Sequence, residues 1–247
     1  MIYPKCVKAI TVCSSLIKSS ISISPSAAII FVFLSSPNFS LISNNSSLII
    51  PYTNVSLDKI SLKYGISIVY RLSDKVVEAI SDAPTKLYFH HYRTVNAFID
   101  RIALKCGLFL ESQGYKYVPI PASQSVNGTQ GIYSHKYAAV KSGLGTIGKS
   151  GLFISEKKGP RVRLGTILTD CKFDVPDIEP VSKCGECNLC VNACPAMAIT
   201  GREWQKDAER EDIIDAIACS DYMKKAFQKI GRGAVCGICM KVCPMNK

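Results

Sequence analysis

Strand-like and helix-like segments that intermix over residues 66–170, a cysteine-dense tail from Cys184 to Cys243, and a proline- and acid-bearing stretch between them predict two domains of the α/β (α+β) class. The boundaries are an uncertain, serine-rich segment over 1–65, an α/β domain over 66–180 and a cysteine-rich domain over 181–247. A hydrophobic fraction of 47% and a charged fraction of 20% exclude global disorder.

Residues 1–65 hold 15 serines among Ile, Leu and Pro, with no sustained period of 2 or 3.6, and they yield no element. The apolar run Ala27 to Leu34 falls far short of the roughly 18–20 residues of a membrane-spanning helix. Lys5, Lys8 and Lys18 precede it, yet no small-x-small cleavage site follows, so neither a membrane anchor nor export is expected. The texture changes at Ile66. ISIVY reads as a strand, and Ser73 or Asp74 is placed to cap a helical KVVEAI. Tyr92 to Leu110 reads as a long amphipathic helix with Val95, Phe98, Ile99, Ile102, Ala103 and Leu110 on one face. YKYVPIP at 115–121 is strand-like and residues 135–142 are helix-like. LFIS and RVRLGTILTD read as strands joined by a Lys-Lys-Gly-Pro turn. Asp174 to Pro180 reads as the linker, and Arg210 to Ile230 as a helix whose Ile213, Ile214, Ile217, Phe227 and Ile230 form a core face.

The formal charge of +11 is uneven: about +4 over 1–65, about +6 over 66–183 and +1 in the tail. From Ser112 to Thr169 eight Lys or Arg residues face one acid, Glu156. That bias suits a phosphate-bearing partner such as a nucleotide, a nucleotide-like cofactor or RNA, and equally a solvated basic face.

CGECNLCVNACP places Cys184, Cys187, Cys190 and Cys194 in the spacing C-x2-C-x2-C-x3-C-P. Two-residue gaps let a tight loop aim three thiolates at one 4Fe–4S cubane, the proline turns the chain away, and the fourth cysteine serves a second cluster. Structural zinc is the alternative, but zinc sites pair their thiolates as separate C-x2-C units. CGICMKVCP adds Cys236, Cys239 and Cys243, with Gly233 where a complete motif would begin. Cys219 is the remaining cysteine of the tail, either the missing ligand or a buried small hydrophobe. By the exchanged ligation of two-cluster ferredoxins, one cluster takes Cys184, Cys187, Cys190 and Cys243, and the other Cys194, Cys219, Cys236 and Cys239. Cys6, Cys13, Cys106 and Cys171 have no partner spacing and read as structural. Reduced thiolates imply a reducing compartment, most simply the cytoplasm.

GLGTIGKS at 143–150 satisfies both G-x-G-x-x-G and the phosphate-loop pattern. Context opposes both, because a helix-like HKYAAVKS precedes the glycines and a strand-like LFIS follows, whereas a phosphate loop leaves a strand and opens a helix. The loop reads either as a tight turn or as a place where backbone N–H groups and Lys149 approach a ligand; an iron–sulfur ATPase is a lesser alternative.

AAVKSGLGTIGKSGLFI, RVRLGTILTD, CGECNLCVNACPAMAI, the helix bearing Cys219-Ser220-Asp221-Tyr222, and CGICMKVCPMNK resemble, in the same order, epoxyqueuosine reductase and its cobalamin-dependent relatives, which include the reductive dehalogenases. The resemblance spans about residues 66–247. It implies a nitroreductase-like domain holding base-off cobalamin, followed by a ferredoxin-like domain whose two 4Fe–4S clusters reduce the cobalt. It makes Gly143, Gly145, Gly148, Lys149, Ser220 and Tyr222 candidate cofactor contacts, and it implies a small ferredoxin- or flavodoxin-like electron donor and a tRNA substrate. An electron carrier without catalysis is the alternative.

Three departures stand out. The chain has no Asp or Glu from Ser112 to Ser155, where the reductase carries an acidic proton donor. Spacing puts Thr129 near that acid and leaves Tyr133, His135 and Tyr137 as candidate donors, so no catalytic residue is assigned. The first 65 residues do not resemble the family's opening segment. Three residues follow Pro244, without the helical repeats that many tRNA-acting members carry.

Overall fold

The computed structural model describes residues 30–35, 62–123, 125, 128–172, 180–206, 208–231 and 233–246. Its main sheet is antiparallel throughout, with β1 (Ile30–Ser35), β2 (Tyr64–Arg71), β6 (Val162–Thr169) and β3 (Tyr117–Ile120) in that spatial order. β2 and β6 pair along their whole length, from Tyr64 opposite Thr169 to Arg71 opposite Val162. Side chains alternate across a strand. β2 therefore sends Ile66 and Ile68 into one core with helix α2 (Lys86–Ser112), and Val69 into another with helix α3 (His135–Lys141). Burial on both faces explains why ISIVY is so nearly unbroken in its apolarity.

Helix α2 buries Val95, Ile99, Ile102, Ala103, Cys106 and Leu110, steps of three and four that keep one stripe on the sheet. It begins six residues before Tyr92, because Thr85 Oγ1 accepts the Tyr88 N–H at 3.0 Å and caps the first turn. The short helix α1 (Asp74–Glu78) lacks the expected side-chain cap. Ser73 holds the N-cap position without such a bond, and Asp74 turns instead to Arg71 at 2.8 Å and Arg161 at 2.9 Å.

LFIS does form a strand, β5 (Phe153–Ser155), but it folds back on β4 (Gly145–Ile147) and not onto β6. A bridge between Ser155 and Gly159 closes the following turn before β6 departs. At that turn the C-terminal backbone comes so near that a Cβ on Gly159 would lie 2.1 Å from the Met245 carbonyl oxygen.

In the tail, α4 (Leu189–Asn192) packs against α7 (Ile238–Lys241), with α5 (Arg210–Ile213) and α6 (Ala216–Phe227) between them in sequence. The expected continuous helix from Arg210 to Ile230 is thus broken. Ile214 is extended and bridges to Ile199, and Asp215 restarts the helix by accepting the N–H groups of Ile217 and Ala218. The break turns Ile217 outward to 66% exposure, so it does not join the core face assigned to it.

Phe227, Ile238 and Met240 belong to the same core as Ile99 and Ile102, so tail and sheet are welded by apolar packing. Cys106 and Cys171 are buried in that core. Cys6, Cys13 and most of the linker expected over Asp174 to Pro180 lie outside the described residues. Among the described residues no helix is long and apolar enough to cross a membrane.

Candidate metal centres and the crevice beside them

Each cysteine motif builds a turn and then one turn of helix. The Cys187 N–H bonds the Cys184 carbonyl at 3.0 Å, after which α4 carries Cys190; in the second motif α7 carries Cys239. Contact of α4 with α7 crosses the motifs, so sulfurs from one reach toward those of the other. None of the eight tail cysteines is tied up in a disulfide.

Their mutual electrostatics run mostly within two groups. Burial pushes the Cys190 thiol up, and Cys184, Cys243 and Cys187 push it further. Cys219 is raised to about 11, by burial first and then by Cys194 and Cys236. Cys239 is raised to about 12, by burial and then by Cys236, Cys219 and Cys194, with Cys190 of the other group last. Thiols held up in this way part with their protons when a metal offers the compensating charge. Among the described residues no three His, Cys, Asp or Glu side chains converge where a single ion could sit. A cubane makes a different demand, one thiolate on each of four irons, so its ligands stand around a volume and not a point.

The glycine loop meets the first motif. Gly148 lies so close that a Cβ there would be 3.3 Å from Cys184 Sγ and 2.5 Å from Ile154 Cδ1. The Lys149 N–H donates to Cys184 Sγ at 3.4 Å, and its ammonium donates to the Gly185 carbonyl at 2.6 Å and to Asn188 Oδ1 at 3.1 Å. Lys149 is 6% exposed. The loop joins two strands of a hairpin and opens no helix, so the strand-to-helix geometry of a phosphate loop is not built. Gly143 and Gly145 line a separate cavity of about 340 Å³ with Glu156, Lys183 and Met245.

Ser220 and Tyr222 face a different space. With Cys194, Cys219, Cys236 and Cys239 they line a crevice of about 400 Å³, whose other walls include Ser150, Gly151, Leu152 and Thr129. A second cavity of about 250 Å³ adjoins it, sharing Thr129, Lys136, Leu152, Arg163, Arg210 and Met240. The sequence reading missed Lys136, Arg163 and Arg210. The only trace of the first two was the basic bias over Ser112 to Thr169. Arg163 is aimed by two contacts: Nε donates to Asn96 Oδ1 at 2.8 Å, and the guanidinium stacks 4.4 Å from the Tyr92 ring centroid. The Lys136 ammonium donates to the Gly151 carbonyl, and burial, with Arg210 next, lowers it to about 8. No carboxylate lines the crevice or the cavity that adjoins it.

Of the candidate proton donors, Tyr133 and His135 line the smaller cavity. Both His135 nitrogens are engaged, Nε2 with the Pro121 carbonyl at 2.9 Å and Nδ1 with Thr166 Oγ1 at 2.8 Å. The carbonyl can only accept, so Nε2 carries the proton and Nδ1 accepts the threonine hydroxyl. Burial lowers His135 to about 4 from the usual 6.5. Between these values the unfolded chain binds the extra proton, so the stability present above pH 6.5 drains away as pH falls toward 4. Thermal unfolding should show a loss of order 2 kcal/mol on going from pH 7 to 5, and His135→Gln should flatten that slope. His91, which accepts the Ser73 N–H through Nε2 and is also lowered by burial, acts in the same direction and would retain its smaller share in the variant.

Residues 183–246 match the 4Fe-4S double cluster binding domain family. A tetrachloroethene reductive dehalogenase of Desulfitobacterium hafniense is 28% identical over 192 residues, covering 73% of this chain and 33% of that protein. An epoxyqueuosine reductase of Staphylococcus aureus is 33% identical over 141 residues, covering 56% of this chain and 35% of that protein. This chain thus spans about a third of the length of these curated relatives. Among solved structures, a reductive dehalogenase described in terms of B12-dependent dehalogenation shares the fold with a TM-score of 0.65 at 18% identity, over 88% of this chain and 30% of that one. An epoxyqueuosine reductase solved with a modified tRNA stem loop gives 0.58 at 19% identity, over 96% and 66%. Residues 183–246 are thus a 4Fe–4S double cluster binding domain, and the chain that carries them resembles epoxyqueuosine reductase and the reductive dehalogenases in sequence and shares their fold.

Proposed function

We propose that this chain is an iron–sulfur oxidoreductase of the epoxyqueuosine reductase kind, with one cluster on Cys184, Cys187, Cys190 and Cys243 and the other on Cys194, Cys219, Cys236 and Cys239. The reading is supported above all by one observation: the four cysteines of the second set line the same crevice as Ser150, Gly151, Ser220 and Tyr222. Electron delivery and the candidate cofactor and substrate space therefore share a wall. Bound clusters supply one-electron transfer, and a bound corrinoid would supply a reducible cobalt.

The crevice suits a corrinoid chemically. Leu152, Ile199, Ile214 and Met240 offer apolar contact to a flat macrocycle, while the hydroxyls of Thr129, Ser150, Ser220 and Tyr222 can meet its peripheral amides. Lys136, Arg163 and Arg210, with no carboxylate on the walls, favour an anionic partner, and tRNA is the substrate proposed. A small ferredoxin- or flavodoxin-like protein is the proposed electron donor, and the reducing cytoplasm the proposed compartment. With both its nitrogens held, His135 serves the fold, and the proton donor is left unassigned.

Anaerobic reconstitution with iron, sulfide and cobalamin, followed by desalting, metal analysis and EPR, tests the reading. About eight irons and one cobalt per chain are expected, and would justify turnover assays on an epoxyqueuosine-bearing tRNA stem loop. Eight irons without cobalt would leave an electron carrier in place of a cobalamin enzyme.

A further inference from the structure

The phosphate-loop lookalike GLGTIGKS has a lysine that the proposed function leaves without a task. Its ammonium is buried, and the partners it meets are the Gly185 carbonyl and Asn188 Oδ1, both within the first cysteine motif. The same residue's N–H donates to the sulfur of Cys184. Gly148 is what permits this approach, since any side chain there would press on Cys184 Sγ and Ile154.

We infer that Gly148 and Lys149 form the seat of the first cluster, the one bearing Cys184, and that Lys149 is a positioning residue that sets this cluster's reduction potential. Two physical effects act in the same direction. An N–H···S hydrogen bond draws charge from the thiolate, and a buried ammonium beside the motif favours the more negative, reduced state. Both raise the potential of the first cluster. Lys149 does not line the crevice that the second cysteine set lines, where Lys136 is the neighbouring ammonium, so the potential of the second cluster is expected to be independent of this residue. The inference rests on the two-cluster reading above, and its test is separable from that reading.

The experiment is an EPR-monitored redox titration of the reconstituted full chain, comparing wild type with Lys149→Met and Lys149→Arg. Cys187→Ser identifies which signal belongs to the first cluster. In Lys149→Met the first cluster should be about tenfold less reduced relative to oxidised at a fixed potential, a shift of about 59 mV to more negative values for one electron. The second cluster should not move, and Lys149→Arg should restore most of the shift. Loss of about four irons from Lys149→Met, with the second signal intact, would equally support a seat for the first cluster. Full iron content with an unmoved first potential would overturn the inference, as would loss of both clusters together, which would make Lys149 a residue of the general fold. A wild-type chain that takes up no iron would overturn this inference and the two-cluster reading alike.

Discussion

Cys219→Ala is expected to remove one cluster and leave the other, lowering bound iron from about eight to about four per chain after anaerobic reconstitution. The second motif begins with Gly233 where a first cysteine would stand, so its cubane must recruit a thiolate from outside that motif. Cys219 sits on α6 beside Cys194 and Cys236, and lines the crevice with them. Removing one of four iron ligands leaves an open iron and a cluster prone to loss, an effect far larger than the loss of one buried sulfur from packing. Iron and sulfide analysis, with EPR of the reduced protein, distinguishes the outcomes. An unchanged iron content would mark Cys219 as a packing residue and require a ligand from elsewhere.

Ile99→Ala should cost roughly 2–5 kcal/mol of stability, measured by urea unfolding of the apo chain. Ile99 is fully buried, and Gly165 on β6 makes room for it, since a Cβ on that glycine would lie 2.3 Å from Ile99 Cγ2. A glycine in the strand beneath a helix side chain leaves little that can collapse into the void, so the upper half of the range is expected. Because Phe227, Ile238 and Met240 occupy the same core, sheet and tail should unfold in one transition. Two separate transitions, with the tail persisting in the variant, would show that the shared core does not couple them.

The cysteine ligands were legible because a cubane imposes its geometry on nearest neighbours in the chain, and the spacing of Cys184, Cys187 and Cys190 is that geometry written linearly. The α/β (α+β) class was legible for a similar reason, since β2, α2 and β6 carry their periodicity within single segments. What depended on distant partners was hidden. The break at Ile214 arises from pairing with Ile199, and apolar spacing runs through it without a mark. Lys136, Arg163 and Arg210 come from three separate elements and gather on the crevice only after folding. Lys149 shows a further limit. A glycine-lysine sequence announces flexibility and charge but not direction, and here the lysine reaches a cysteine loop 36 positions away.

The close approach of Met245 to Gly159 completes a circuit with the contact of Lys149 on Cys184. The cysteine-rich tail is fastened near both its ends to the same corner of the fold, the β4–β5 hairpin and the turn that follows it. Such a tail cannot swing away on its linker to serve as a free shuttle. On the proposed function, electron transfer from the loaded tail to the crevice would be a first-order event inside one molecule, unaffected by dilution. On that reading, the encounters with an outside donor and with the substrate would be the steps that depend on concentration and salt.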